Sequence, residues 1–317
     1  MIPERMPGLA TLLALAATSV IDLTALPTRI PRMSTVETTS EEIAPPDSEA
    51  IDARVDRHAR LTVPVHVDGT GPFQFIIDTG AQRTVLSDSL AQQLDLEAGP
   101  DMQIVGIVQA ASVPSAHVGT IDLGRLRLSR VQVPLLKRDD IDADGILGTD
   151  TLQDQRVLID FERSRIEVGD ADELGGNRGY EIVVRARRKS GQLIVTNARI
   201  DGIKVALVFD TGAELSVGNR ALQAALGKRG SQFRAVQVSS VTGHSAIAQV
   251  GTASKLDLND IAISNPFMAF TDSPVFAELG LQNRPALFLG MREMRMFRRV
   301  AIDFGSRRVL FDLPKNL

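Results

Sequence analysis

The sequence predicts short strands and tight turns arranged as two copies of one lobe, and three observations carry that expectation. The 317 residues hold 25 Gly and 15 Pro among many Val, Ile and Leu, with 4% aromatic residues, a composition that leans toward strands and turns. Residues 61–94 align with residues 193–226 at a constant offset of 132, without insertion. Each copy runs an apolar strand into the same tetrapeptide, Asp78-Thr79-Gly80-Ala81 in the first and Asp210-Thr211-Gly212-Ala213 in the second. With 44% hydrophobic residues there is material for a sizeable core, and the length suits about two domains.

The elements follow in order. Leu61, Val63, Val65 and Val67 alternate with Thr62, Pro64 and His66, the period of a strand with one buried face. Asp68-Gly69 turns the chain into a second strand, Phe73–Ile77, whose counterpart is Val205–Phe209. Ser87 and Asn219 share the offset and are good helix N-caps, with Leu90/Leu94 and Leu222/Leu226 following at helical spacing. Val118-Gly119-Thr120 and Val250-Gly251-Thr252 keep the offset and open further strands. Ile146-Leu147-Gly148 and Leu158-Ile159-Asp160-Phe161 are echoed by Phe288-Leu289-Gly290 and Ala301-Ile302-Asp303-Phe304 at offsets of 142 and 143, so ten or eleven residues are inserted in the second copy. These runs predict strand, helix, strand at the close of each lobe. Tyr180–Arg187 and Gln192–Ile200 read as a hairpin around Lys189-Ser190-Gly191.

Upstream of the lobes, Arg5 precedes the apolar stretch Leu9–Ile21, in which Ala14-Leu15-Ala16 fits a signal-peptide cleavage pattern. The stretch is shorter than the roughly 20 residues that a membrane-spanning helix needs. The expected organisation is a signal peptide over 1–21, a disordered linker or pro-segment over 22–55, an N-terminal lobe over 56–170, an inter-lobe linker over 171–190 and a C-terminal lobe over 191–317. Export to the periplasm or the medium follows, and membrane association is expected only through an uncleaved N-terminal segment.

Several function classes are excluded. A net charge of −4 lacks the basic surplus that neutralising nucleic-acid phosphates requires, and with one Tyr and no Trp there is little to stack on bases. The absence of Cys removes disulfides, thiolate metal sites and cysteine nucleophiles. His58, His66, His117 and His244 form no metal-ligand spacing. No nucleophile elbow, Walker loop or dinucleotide-binding glycine loop is present. Asp140–Gly145 matches the first half of a calcium loop, but Thr151 stands where the bidentate Glu belongs, so an acidic surface turn is expected. Met291–Arg299 reads as a cationic surface helix packed by Met294 and Phe297.

The repeated Asp-Thr-Gly carries the chemistry. A strand ending in this tripeptide presents a carboxylate on a loop, and the glycine permits close approach of the backbone. A pseudo-twofold relating the lobes would bring Asp78 and Asp210 together. Two carboxylates about 3 Å apart hold one proton between them. The ionised member can then take a proton from a water, while the protonated one hydrogen-bonds to a carbonyl oxygen.

Phe75–Ala81 and Leu207–Ala213, with Gly145-Ile146-Leu147-Gly148 and Leu287-Phe288-Leu289-Gly290, resemble the retropepsin-like aspartic peptidases over about residues 58–313. The resemblance implies an all-β fold, a bilobal pseudo-twofold acid-protease barrel of two retropepsin-like lobes with one short helix or two each. It implies an aspartic endopeptidase with Asp78 and Asp210 catalytic, without metal or cofactor, favouring a monomer that takes peptide or protein substrate in the inter-lobe cleft. The alternative is a catalytically inactive bilobal peptide-binding or scaffold protein. Thr79 and Thr211 would hydrogen-bond across the pseudo-dyad, and Gly80 and Gly212 would offer N–H groups to the carboxylates. The only Tyr, Tyr180, lies in the linker, so a flap of the pepsin type is not expected; Gly106 and Ile107, and Gly243 and His244, mark glycine-containing flaps. Ala81 and Ala213 replace the Ser of many pepsin-type enzymes, removing a hydroxyl that would stabilise the ionised carboxylate and predicting a less acidic optimum.

Overall fold

A computed structural model of the chain describes residues 61–239 and 245–314, with three two-residue strands upstream at Leu13–Ala14, Met33–Ser34 and Arg54–Val55. The expected signal peptide and linker otherwise lie outside the described residues. The first lobe begins with the strands Leu61–Val67 and Thr70–Ile77, paired antiparallel with Val63 opposite Phe75. Asp68 and Gly69 turn the chain at φ 48° and 75°, as a tight turn between strands requires. Val63, Val65 and Val67 are buried and His66 is exposed, so the alternation read in the sequence is the inside and outside of a barrel wall.

That barrel closes on itself. Ala110–Leu123, Leu126–Leu136, Val85–Ser87, Gly145–Leu147, Thr70–Ile77 and Leu61–Val67 follow one another in hydrogen-bonded order, and His66 opposite Asp122 joins the last strand to the first. The second lobe repeats the plan with Gln192–Ile200, Ile203–Phe209, Ser216–Gly218 and Ala286–Leu289. Its long hairpin is broken into shorter strands, Ser245–Thr252 and Lys255–Leu258 returning as Ile261–Ser264 and Phe267–Phe270. Most of the inserted residues of this copy fall in 271–285, which holds the helix Pro274–Glu278. Both predicted N-caps are present: Ser87 Oγ accepts from Leu90 N at 3.2 Å, and Asn219 Oδ1 from Leu222 N at 2.9 Å.

The lobes are joined by a five-stranded sheet in the order Arg165–Gly169, Arg156–Asp160, Arg299–Asp303, Arg308–Asp312, Ile182–Arg185. At its centre Leu158 pairs with Ala301, its own equivalent in the repeat, so the pseudo-twofold passes through this pair. Arg156, 1% exposed, is bound to Asp303 across it at 2.7 Å and also donates to Gly176 O and Asn177 Oδ1. A buried guanidinium is tolerated there because its donors are met.

Three readings are corrected. Among the described residues each lobe has three short helices, Asp88–Gln93, Arg138–Ile141 and Thr149–Leu152 in the first and Arg220–Gly227, Pro274–Glu278 and Met291–Met294 in the second. The additional one is a turn or so long, too short to leave a 3.6-residue period. The segment 180–200 is not one hairpin: Arg187–Lys189 turns back on Gln192–Ile194 through Ser190 and Gly191, while Ile182–Arg185 joins the inter-lobe sheet beside Arg308–Asp312. Ile182 and Val184 are buried and Val183 and Arg185 exposed, the alternation of a strand covering a core. Met291–Arg299 is helical only to Met294; Met291, Met294 and Phe297 point into the core and Arg299 opens a strand.

Candidate active site

The strands Thr70–Ile77 and Ile203–Phe209 end at the lobe interface, and each is anchored there by a parallel neighbour. Asp78 N donates to Leu147 O and Asp210 N to Leu289 O, both at 3.0 Å, so each aspartate leaves its strand at the same point and height. Both side chains are fully buried. On the first loop Gly80 N and Ala81 N donate to Asp78 Oδ1 at 2.8 and 2.9 Å; on the second, Gly212 N and Ala213 N donate to Asp210 Oδ1 at 3.0 and 3.2 Å.

Threonines lock the loops together. Thr79 Oγ1 donates to Phe209 O at 2.7 Å and accepts from Thr211 N at 3.2 Å. Thr211 Oγ1 donates to Ile77 O at 2.6 Å and accepts from Thr79 N at 3.0 Å. A residue with both a donor and an acceptor on one atom is needed for this reciprocal grip, which Ser or Thr supplies. The glycines are set by contact: a Cβ on Gly80 would lie 2.6 Å from Asp210 Cγ, and one on Gly212 would overlap the Asp78 carboxyl. Each carboxyl therefore rests against the opposite loop.

The two carboxyls meet across the pseudo-twofold, each against the glycine of the opposite loop. The Asp210 carboxyl is held well above the usual range, first by burial, then by the negative charge of Asp78 and the hydrogen bond between them, against the pull of Gly212 and Ala213 N–H. The arrangement can hold one proton on a pair of acids out of contact with bulk water.

Beneath the loops lies a brace that sequence reading missed. Thr84 Oγ1 donates to Asp150 Oδ1 at 2.8 Å and accepts from Gly148 N at 3.2 Å, while Asp150 takes Thr84 N. Ser216, the equivalent of Thr84, donates to Glu293 Oε2 at 2.5 Å and accepts from Gly290 N at 3.0 Å. Burial raises the Glu293 carboxyl to about 7, against the opposing hydrogen bond from Ser216, the charge of Arg292 and Phe267 N–H. A hydroxyl residue six positions after each Asp was a signal available in the repeat.

Of the flap candidates, Gly106 and Ile107 sit at the tip of the hairpin formed by Ala98–Gly106 and Ala110–Leu123, where Gly106 N donates to Gln109 O at 3.0 Å. The tip crosses to the other lobe. Val105 and Ile107 are buried, with Val108 beside them, in an apolar cluster with Ile194, Val275, Phe276 and Phe288. Gly243 and His244 lie outside the described residues. In the calcium-like segment, Asp144 caps Gln74 N at 2.8 Å and pairs with Arg138, and Gly145 is a strand residue. Among the described residues no cluster of three potential metal ligands occurs.

A buried aspartate from each of two equivalent lobes, gripped by reciprocal threonine bonds at a pseudo-twofold, defines a site of the aspartic-protease class. Residues 63–154 match the family described as gag-polyprotein putative aspartyl protease, and residues 196–292 match the family described as aspartyl protease. The chain carries these two aspartyl-protease domains in tandem and is a duplicated, retropepsin-like single-chain protein with an aspartic-protease-like function. No curated protein matches it.

Proposed function

We propose that the protein is an aspartic endopeptidase in which Asp78 and Asp210 jointly activate a water for attack on a peptide carbonyl. The observation that carries this reading is the facing pair of fully buried carboxyls, one from each lobe and each against the opposite loop, with Asp210 held toward its neutral form. In the singly protonated pair the ionised carboxylate takes a proton from the water as its oxygen bonds to the carbonyl carbon. The neutral acid hydrogen-bonds to the carbonyl oxygen, which becomes the second hydroxyl of a tetrahedral diol. Collapse of the diol returns one proton to the dyad and delivers another to the leaving nitrogen, and the C–N bond breaks. The flap hairpin, whose tip lies on the opposite lobe, would close over an extended peptide and exclude water from the reacting atoms. Since Ala81 and Ala213 contribute only backbone N–H groups to the carboxylates, the optimum lies well above pH 2. Export through the N-terminal apolar stretch is part of the proposal, with peptide or protein as the partner and a monomer as the working form.

The test is cleavage of a peptide library by purified protein beside its Asp78→Asn and Asp210→Asn variants. Each substitution is expected to lower turnover by about 10⁴-fold or more with folding retained, since one half of a coupled pair cannot do both proton transfers. Wild-type rates in both variants would remove the assignment.

A further inference from the structure

The grip of the threonines and the contacts of the glycines obey the pseudo-twofold; one buried side chain adds a contact that has no counterpart among the described residues. Gln192, the first residue of the strand Gln192–Ile200 in the C-terminal lobe, is fully buried and reaches across the interface to donate its Nε2 to Gly80 O. Gly80 O is an acceptor only, so the nitrogen must face it. The amide oxygen is then left buried with no partner among the described residues. A buried polar atom without a bond is costly, so the bond to Gly80 O holds the amide against that cost. Among the described residues no side chain donates to Gly212 O, the equivalent carbonyl; the sequence counterpart of Gln192 is Arg60, outside the described residues.

The Gly80 carbonyl belongs to the same peptide unit as the Ala81 N–H, which donates to Asp78 Oδ1. Donation into a peptide oxygen polarises that unit and strengthens its N–H as a donor. Gln192, Gly80 O, Ala81 N–H and Asp78 thus form one chain of aligned bonds that favours negative charge on Asp78. The donor distances agree: 2.8 and 2.9 Å onto Asp78 against 3.0 and 3.2 Å onto Asp210. The bonds Thr149 N to Ala81 O and Met291 N to Ala213 O are both 2.8 Å and cannot distinguish the two.

We propose that Gln192 is a positioning residue that breaks the symmetry of the dyad, making Asp78 the ionised member and Asp210 the proton-bearing one. Combined with the peptidase reading, on which this part rests, Asp78 is the base toward water and Asp210 the acid toward the carbonyl oxygen. The neutral state favoured for Asp210 is consistent with that order. Charged groups on or beside the loops are Arg83 and Asp150 on the N-terminal side and Glu214, Arg292 and Glu293 on the C-terminal side. The charge that acts on Asp210 is that of Asp78.

The test uses full-length protein labelled at aspartate ¹³Cγ, titrated by NMR, with kinetics on a cleaved peptide run in parallel. Gln192→Met keeps the volume of the side chain and removes the donor. In wild type, the Asp78 carboxyl is expected to ionise first, with Asp78→Asn and Asp210→Asn assigning the signals. In Gln192→Met the first ionisation should rise by about 0.5 pH unit. The acidic limb of kcat/KM should move with it, and kcat should fall about 2- to 10-fold at unchanged KM. Should the Met variant not fold, Gln192→Glu serves, since its carboxyl donates to Gly80 O only while neutral. A Gln192 variant that melts earlier yet leaves the order and midpoint of ionisation unchanged overturns the proposal. If the labelled protein shows the Gln192-dependent order but cleaves no peptide, the peptidase reading fails and this one stands.

Discussion

At the scale of single residues, the site depends on side chains whose neighbours come from the other half of the chain. Asp78, Thr79, Asp210 and Thr211 were legible in the sequence because the tetrapeptide occurs twice at one offset, and a twofold was enough to imply their meeting. Gln192 was not legible, since its partner is a backbone carbonyl 112 positions away and its counterpart in the repeat is Arg60. Glu293 was hidden for a related reason: its counterpart under the first loop is Asp150, and the two sit at different offsets within their helices. Burial gives Glu293 a consequence for stability. Its folded-state value, raised from 4.5 to about 7, means that the folded protein binds a proton that the unfolded chain has released. The stabilisation from the neutral acid is present below pH 4.5 and is lost as pH rises through 7, with a span of about 3 kcal/mol. Urea unfolding across that range should show stability falling with pH in wild type and a flatter course in Glu293→Gln, where the neutral form is fixed. An identical slope in both proteins would assign the pH dependence elsewhere.

At the scale of elements, the barrel strands followed from alternation, and the helices Asp88–Gln93 and Arg220–Gly227 from their caps. The single-turn helices and the strand Ile182–Arg185 did not, because elements of four or five residues carry less than one clear period and their placement is decided by tertiary pairing. The hairpin of Ala98–Gly106 and Ala110–Leu123 is the element whose tip packs on the opposite lobe. Its tip is held on the opposite lobe by Val105 and Ile107, and burying one aliphatic side chain of this size is worth about 2 kcal/mol. Ile107→Ser should therefore release the tip while leaving the barrel intact. The expected result is faster hydrogen exchange at the Gly106 amide, which donates to Gln109 O, with a melting temperature lower by only a few degrees. Unaltered exchange there would mean that the tip is held by its own hairpin rather than by the other lobe.

At the scale of the whole molecule, the duplication explains why one chain completes a site that a single lobe lacks. The central sheet pairs Leu158 with its own equivalent Ala301, and the buried Arg156–Asp303 bond sits beside that axis, so the sheet registers the lobes to each other. Registration at the sheet and the grip of Thr79 and Thr211 together set the distance between the two acids. A shared proton between them is the central claim, and the pH dependence of kcat/KM for a cleaved peptide tests it most directly. The dyad predicts a bell with two limbs and a maximum well above pH 2, and background rates at every pH for Asp78→Asn and for Asp210→Asn. A profile with one limb, or a single Asn variant that keeps the wild-type rate, would contradict it.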